Sequence, residues 1–410
     1  MKKILALFAS FAIMAFYSCG GDDNDNNEVP EEPAKFELAD INHIITYGQS
    51  LGEGSHSSPV LTTSPFADNA LMFNHGIKTH YGLNPMYRFF VPHIEQLNEE
   101  NGETPAAGTA QKFIIDYKPG EAYILSSCCA KGSTTIAQLS KGSEWYNNML
   151  ADVTNAKRLA DEQGKSYKLL AVTWSQGEYD YGNGIEYYKT KLKQLRADLI
   201  ADVEVITGED YSKLPFITYQ VSSSYSAGKS YPDIGLALYE LGIEAGNGFY
   251  MATPIYHMQY FDKWHLVNVS SKLLGAYYGH VLSEILSGNE WEPLRPVSHT
   301  VSGDNILLVF NKGGLAFSKP DYLTENIPNH GFSVKNSEGK ELIKFVIIVS
   351  DNTIKIECVD TPRDVTVTYG FSNTNNRNAG ELHDSSSVKM KIGGTTFSMY
   401  NWCSIFEYKL

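Results

Sequence analysis

From residue 38 to about 290, short apolar runs alternate with stretches whose apolar residues recur at helical spacing. Ile41–Tyr47, Ala122–Cys128, Lys168–Trp174, Pro215–Val221 and Phe249–Tyr256 are of strand length and rich in β-branched and aromatic side chains. Between them, Tyr146, Met149, Leu150, Val153 and Ala156 fall on one helical face. Tyr188, Leu192, Leu195, Leu199 and Val203 mark a second face, and Leu274, Tyr278, Val281 and Ile285 a third. This alternation predicts an α/β domain in which helices cover both sides of a parallel sheet. Ligands of such sheets collect beyond the carboxyl ends of the strands, so functional residues are sought there.

After Pro293 and Pro296 the period changes. Asn305–Phe310, Phe345–Val349, Thr353–Cys358, Val365–Tyr369 and Val388–Ile392 are short, often alternating, and separated by Gly, Asn and Asp. No helical stripe continues, so residues 291–410 are expected to form an antiparallel β-sandwich. No internal repeat is visible.

At the other end, Lys2 and Lys3 precede an apolar stretch, Ile4 to Tyr17, of signal-peptide length. Phe16-Tyr17-Ser18-Cys19 resembles a bacterial lipobox, with Cys19 as the lipid-bearing residue. The acidic run from Gly20 and Gly21 through Asp22, Asp23, Asn24 and Asp25 resembles the surface-export tag of Bacteroidota lipoproteins. Residues 1–18 are therefore expected to be a signal peptide and 19–37 a flexible tether. The expected product is a cell-envelope lipoprotein on the outer membrane, facing outward. No apolar run reaches the roughly 20 residues of a membrane-spanning helix, so the lipid is the expected membrane contact.

Composition narrows the partners. The charges sum to −14 and no dense basic stretch is present. That argues against nucleic acid, whose phosphates call for a surplus of Lys and Arg on at least one face. A hydrophobic content of 42%, with 26 Tyr and 19 Phe, is enough for a sizeable core. Cys128 and Cys129 are adjacent and, on a strand, point to opposite faces, which favours two buried thiols over a disulfide. Cys358 and Cys403 share the C-terminal region, and their pairing is left open by the sequence. No CxxC or HExxH spacing occurs, so no metal is expected. Oligomeric state is not legible.

Three segments at predicted strand ends carry candidate chemistry. Tyr47-Gly48-Gln49-Ser50-Leu51-Gly52 follows the first strand, where Gly48 permits a sharp turn and Ser50 sits exposed. Its Gly-Gln-Ser-Leu-Gly also fits the G-x-S-x-G elbow of α/β-hydrolases. That elbow follows several strands, whereas one strand fits before Ser50, and no HGGG-type segment is present. Trp174-Ser175-Gln176-Gly177-Glu178-Tyr179-Asp180 ends another strand. It offers an amide donor, a glycine that permits close backbone approach, and two carboxylates able to orient a base or bind sugar hydroxyls. Asp262-Lys263-Trp264-His265 precedes the last helix. A carboxylate three residues before a His can accept from one ring nitrogen while the other faces a nucleophile. Taken singly, each segment also reads as an ordinary turn.

In this order the segments resemble the SGNH hydrolase superfamily, and most of all its sialate O-acetylesterase and acetylxylan esterase branch. The first block of that branch reads Gly-Gln-Ser and then usually Asn; Leu51 stands in the Asn place. The middle block, Trp-x-Gln-Gly-Glu-x-Asp, is matched throughout by Trp174 to Asp180, and Asp-x-x-His by Asp262 and His265. A Gly-Gly-(Ser/Thr) block is matched in part by Lys131-Gly132-Ser133. The stretch from Val367-Thr368-Tyr369-Gly370 to Asn378-Ala379-Gly380 looks like the C-terminal β-region of some of these esterases.

The resemblance implies a three-layer, flavodoxin-like catalytic domain over 38–290. It implies Ser50 as nucleophile, His265 as general base and Asp262 as the carboxylate that holds the imidazole. The Ser50 and Gly132 backbone N–H groups and the Gln176 amide become the candidate oxyanion donors, and Glu178 a second candidate for orienting the base or binding substrate. An acetylated carbohydrate is the implied substrate, with no metal or organic cofactor. Two rivals stand beside this reading. One is a non-catalytic surface glycan-binding protein, which has no need of Ser50, His265 and Asp262 together. The other is a lipase or peptidase of the α/β-hydrolase type, which the strand count before Ser50 disfavours.

Overall fold

The computed structural model describes residues 36–79, 89–95, 102–320 and 322–410, and from residue 36 onward they belong to one compact unit. The expected signal peptide, Cys19 and nearly all of the tether lie outside the described residues.

Seven strands make the central sheet: β1 (Ile41–Gly48), β2 (Ala70–Phe73), β3 (Phe90–Pro92), β4 (Tyr123–Cys128), β5 (Tyr167–Ser175), β6 (Phe216–Gln220) and β7 (Phe249–Pro254). Their spatial order is β3-β2-β4-β1-β5-β6-β7. All neighbours run parallel except β3, which pairs antiparallel with β2 at the edge. The five strands expected from the apolar runs are β1, β4, β5, β6 and β7. With four and three residues, β2 and β3 are too short to show a period.

Helices α1 (Ser50–Glu53), α2 (Pro105–Tyr117), α3 (Glu144–Glu162), α4 (Ile185–Thr207), α5 (Asp233–Ile243) and α6 (Asn268–Leu286) accompany the sheet. The three expected apolar faces lie on α3, α4 and α6. Neither α2 nor α5 shows such a stripe, because most of their residues are buried. Close approach replaces the stripe where α2 meets α6. A Cβ added to Gly108 would fall 1.9 Å from the Lys272 carbonyl oxygen, and one added to Gly275 would fall 1.9 Å from that of Pro105.

Beyond α6 the chain is β-rich. β8 (Pro296–Ser302), β9 (Asn305–Phe310), β12 (Ile343–Ser350) and β13 (Thr353–Cys358) form one antiparallel sheet. β11 (Phe332–Lys335), β14 (Thr366–Tyr369) and β20 (Phe406–Lys409) form another. Three short pairs complete the region: β10 (Ala316–Phe317) with β17 (Leu382–His383), β15 (Ser372–Thr374) with β16 (Arg377–Ala379), and β18 (Lys389–Ile392) with β19 (Thr395–Ser398). Period-two alternation turns Ile306, Leu308, Ile354 and Ile356 inward against Val334, Val367 and Phe406 of the second sheet. The two apolar cores exchange residues across position 290. Tyr239, Met251 and Tyr256 belong to the β-rich core, while Met390, Ile392 and Met399 belong to the α/β core. Cys128, Cys129, Cys358 and Cys403 are all free, buried thiols.

Strand order reverses at β1, which lies between β4 and β5. The crevice beyond its carboxyl end is therefore the switch point of the sheet, the natural place for a ligand.

Candidate active site

Ser50 is delivered to that crevice by a close strand contact. Gly48 has φ +137°, and a Cβ there would fall 2.2 Å from the Ser175 carbonyl oxygen. Only glycine lets the ends of β1 and β5 approach this far. The Gln49 N–H donates to Ser175 O at 2.8 Å, and Ser50 then opens the single turn of α1, half-buried.

His265, the candidate base, arrives on a loop beyond β7. Residues 259–267 are drawn together by the Phe261 N–H, which donates to His265 O at 2.7 Å, and the Val267 N–H, which donates to Gln259 O at 3.2 Å. Within the loop, Asp262 Oδ1 accepts from the backbone N–H groups of Trp264 (2.6 Å) and His265 (2.7 Å). Its Oδ2 lies 2.9 Å from His265 Nδ1, and His265 Nε2 lies 3.2 Å from Ser50 Oγ. The Asp-x-x-His spacing thus has a physical cause: one carboxylate oxygen shapes the turn while the other meets the imidazole. Burial raises the Asp262 carboxyl, but hydrogen bonds from the His265 ring and from the two backbone N–H groups outweigh it and hold the carboxyl below its ordinary value. It is ionised at neutral pH.

The other sequence candidates sit close by in different roles. The Gly132 N–H donates to Glu53 Oε2 at 2.8 Å, and a Cβ on Gly132 would lie 3.6 Å from Ser50 Cβ. Gly132 therefore borders Ser50, with its N–H engaged by a carboxylate of α1. Gln176, expected as an oxyanion donor, has its amide engaged by neighbours. Its Nε2 donates to Thr134 O (3.1 Å) and to Asp180, its Oε1 accepts from the Tyr188 hydroxyl (2.7 Å), and it is fully buried. The reason is local: three polar groups surround the amide and fix the 134–136 turn to the 176–180 turn. Glu178 makes no bond to His265. Its Oε2 accepts from Gln49 Nε2 (2.9 Å) and the Tyr219 hydroxyl (2.6 Å), while Oε1 is buried without a hydrogen-bond partner among the described residues. Burial, opposed by the Tyr219 bond, pushes its carboxyl up to about 7.

A cavity of about 240 Å³ opens between these loops, lined by Gln49, Ser50, Ser133, Glu178, Tyr179, Trp264 and His265. A larger hollow of about 510 Å³, at Phe36, Leu169 and Pro215, lies at the amino ends of β5 and β6 and holds no nucleophile–base pair. Sequence reasoning took Gln49 only as a member of the first block, without a role, and did not reach Glu53, His56 or Tyr219. The first three lie within six residues of Ser50, so the nucleophile segment itself was the available signal; nothing local marks Tyr219. The His56 ring stacks on Phe261, with centroids 5.4 Å apart, and lies tilted against His265 at 4.5 Å. Together His56, Asp262 and His265 bring ligand atoms within 4.8 Å of one another, a donor set able to hold a cation among the described residues. Asp262 and His265 are already bonded to each other there.

A family model described as carbohydrate esterase, sialic acid-specific acetylesterase, matches residues 67–284, just over half of the chain. The chain belongs to that family of carbohydrate esterases. The matched span holds Gly132, Gln176, Glu178, Asp262 and His265, and begins after Ser50. No curated protein matches at a significant level. Among solved structures, XAC1771, a novel carbohydrate acetylesterase from Xanthomonas citri, aligns with TM-score 0.59 and 14% identity over 89% of this chain and 80% of that one. NanS aligns with TM-score 0.45 and 13% identity over 61% of this chain and 99% of that one. A protein from Arabidopsis thaliana, AT4G34215, aligns with TM-score 0.45 and 18% identity over 59% of this chain and 97% of that one. At 14% identity, the XAC1771 likeness speaks for the shared fold alone.

Proposed function

From membership of this carbohydrate esterase family, we propose that the chain is a serine esterase that removes O-acetyl groups from carbohydrate through an acyl-enzyme on Ser50. The observation that carries the reading is the unbroken chain from Asp262 Oδ2 through the His265 imidazole to Ser50 Oγ, at 2.9 and 3.2 Å. A serine hydroxyl becomes a competent nucleophile when a neighbouring base takes its proton. His265 Nε2 is placed to do so as Oγ attacks the acetyl carbonyl, and then to return the proton to the departing sugar oxygen. The ionised Asp262 fixes the tautomer that leaves Nε2 free to accept, and stabilises the imidazolium. Water repeats the cycle in reverse to release acetate.

The oxyanion of the tetrahedral intermediate needs preorganised donors. The backbone N–H groups of Ser50 and Gly132 fill this role in the proposal, with Glu53 giving way from Gly132 as substrate enters. Gln176 serves by holding the wall of the site. The cavity is smaller than the roughly 300–1,000 Å³ of pockets that enclose a drug-sized ligand, which suits a small acyl group with most of the glycan outside. Tyr179, 60% exposed, and Trp264 stand at that mouth as surfaces on which a sugar ring can stack. Cys19 anchors the enzyme to the cell envelope in this reading, where it meets extracellular glycans.

The test is acetate release from a panel of acetylated glycans and acetylated sialic acids, with Ser50→Ala as control. The variant should fold normally and lose roughly 10⁴–10⁶ of kcat. If it keeps more than about a tenth of the activity, the mechanism is wrong.

A further inference from the structure

The geometry points to a catalytic duty for the C-terminal β-region: the hairpin of β15 and β16, through Arg377, sets the position of the loop that carries the base. The inference rests on the role of His265 proposed above. The loop of residues 259–267 closes on itself through its own backbone bonds, including a bridge between Tyr260 and Leu266. Those bonds define its shape but not its tilt toward Ser50. The tilt depends on what touches the loop from outside.

On one side the nucleophile segment touches it: the Ser57 hydroxyl donates to Leu266 O at 2.9 Å. On the other side stands the hairpin. The Arg377 guanidinium lies over the Tyr260 ring, 3.9 Å from its centroid, two residues before Asp262. The Ser226 hydroxyl lies within hydrogen-bond reach of both Lys263 O (3.0 Å) and Asn376 O (2.9 Å), pinning loop and hairpin to one point. A guanidinium plane stacked on an aromatic face resists sliding more than an aliphatic contact does, because charge and ring quadrupole favour one registry.

The hairpin is built to act as a fixed post. Its two-residue turn places Asn375 and Asn376 at φ +52° and +61°, the tight geometry that matches strand twist and that Asn tolerates. Buried Asn378 ties it to the α/β part. Its N–H donates to Ser222 O at 2.9 Å, and its Oδ1 accepts from the Ser224 N–H (3.2 Å) and hydroxyl (2.9 Å). Ser222 lies just past β6, so the post stands on the central sheet. A free-standing glycan-binding module has no need of such contacts with the base loop.

The experiment compares the full-length chain with Arg377→Met, which keeps a stem of similar length and loses the charged plane, and with Arg377→Lys, which keeps the charge. A misplacement of about 1 Å at a reacting group can cost about 100-fold in rate. Arg377→Met should therefore lower kcat about 10- to 100-fold on a small activated acetyl ester, with KM nearly unchanged. The rate at which a fluorophosphonate labels Ser50 should fall in parallel, since that reaction also needs the base, and Arg377→Lys should restore part of both. Three outcomes would overturn the inference: a folded Arg377→Met with wild-type kcat, a loss confined to KM, or loss of kcat with labelling unchanged. Where the Met variant does not fold, the same readouts on Arg377→Gln, which also removes the charge, decide, a wild-type kcat counting against the inference. Retained activity in Ser50→Ala would instead remove the mechanism on which it rests, so the two failures are distinguishable.

Discussion

Glu178 allows the electrostatics of the site to be weighed. Its side chain is 8% exposed, and burial pushes its carboxyl from the ordinary 4.5 up to about 7. A folded-state value above the unfolded one means that the folded chain keeps a proton which the unfolded chain has released. Stability therefore falls as pH rises from about 4.5 through about 7, and the full cost is present above that window. At about 1.4 kcal/mol per pH unit, the gap amounts to about 3 kcal/mol. Glu178→Gln keeps the shape, and its amide oxygen can still accept from Gln49 and Tyr219, but it carries no charge at any pH. Near pH 4.5 variant and wild type should unfold at similar denaturant concentrations. Near pH 8.5 the variant should be the more stable by about 3 kcal/mol, read from urea unfolding at both pH values. A variant equally destabilised at both, or a difference that does not grow with pH, would refute the buried, proton-holding carboxyl. Catalysis is a separate readout: kcat should change little, because Glu178 does not touch His265.

Asp262→Asn should lower kcat by about 10⁴ with little change in KM. Its oxygen is held by the Trp264 and His265 N–H groups, so the amide nitrogen faces His265 Nδ1 and imposes the wrong tautomer. A greater kcat loss in Glu178→Gln would reverse the two roles. Gly275→Ala drives a methyl into the Pro105 carbonyl and should cost about 3 kcal/mol or more in thermal or urea unfolding; near-neutral stability would mean the two helices can part. Proteolytic cleavage within residues 291–298 should leave two pieces that co-elute on gel filtration until denatured, because each core borrows residues from the other. Cys19→Ala should leave the precursor unlipidated and out of the membrane fraction, and an unchanged fractionation would remove the lipid anchor.

Strong periods were readable in the sequence, and so were short blocks with a chemical reason for their spacing. Ile41–Tyr47 and Lys168–Trp174 are rich in apolar side chains because β1 and β5 lie inside the sheet, flanked by strands on both sides. Leu192, Leu195 and Leu199 form a stripe because α4 has one face against that sheet and one in water. Where burial is widespread the stripe vanishes, and the helix-weakening Gly108 of α2 is explained only by its contact with α6. Asp262 and His265 were legible because a single turn joins them. The surroundings of Gln176 were not legible, because its chemical type fits an oxyanion donor equally well whether or not Thr134, Asp180 and Tyr188 surround it. Those partners lie up to 42 residues away, where spacing carries no information.

What holds the two loops in register is least legible of all. Ser50 is fixed by strand geometry, since Gly48 and Gln49 lock the end of β1 to Ser175. The loop of His265 hangs beyond the last strand, with Leu266 buried in the α/β core beside it and no strand pairing at the base itself. In the proposed arrangement its 3.2 Å approach to Ser50 Oγ depends on contacts from residues 56–57 on one side and 376–377 on the other. A general base works within about 2.6–3.2 Å of its proton donor, so a shift of a few tenths of an ångström at either support takes the pair out of range. Motif blocks record which groups react, because the chemistry constrains their type. The supports are constrained only in where they stand, and many side chains can stand there. On the proposed mechanism, a strand-rich region with no reactive group of its own would then set the rate of a reaction carried out on another part of the chain.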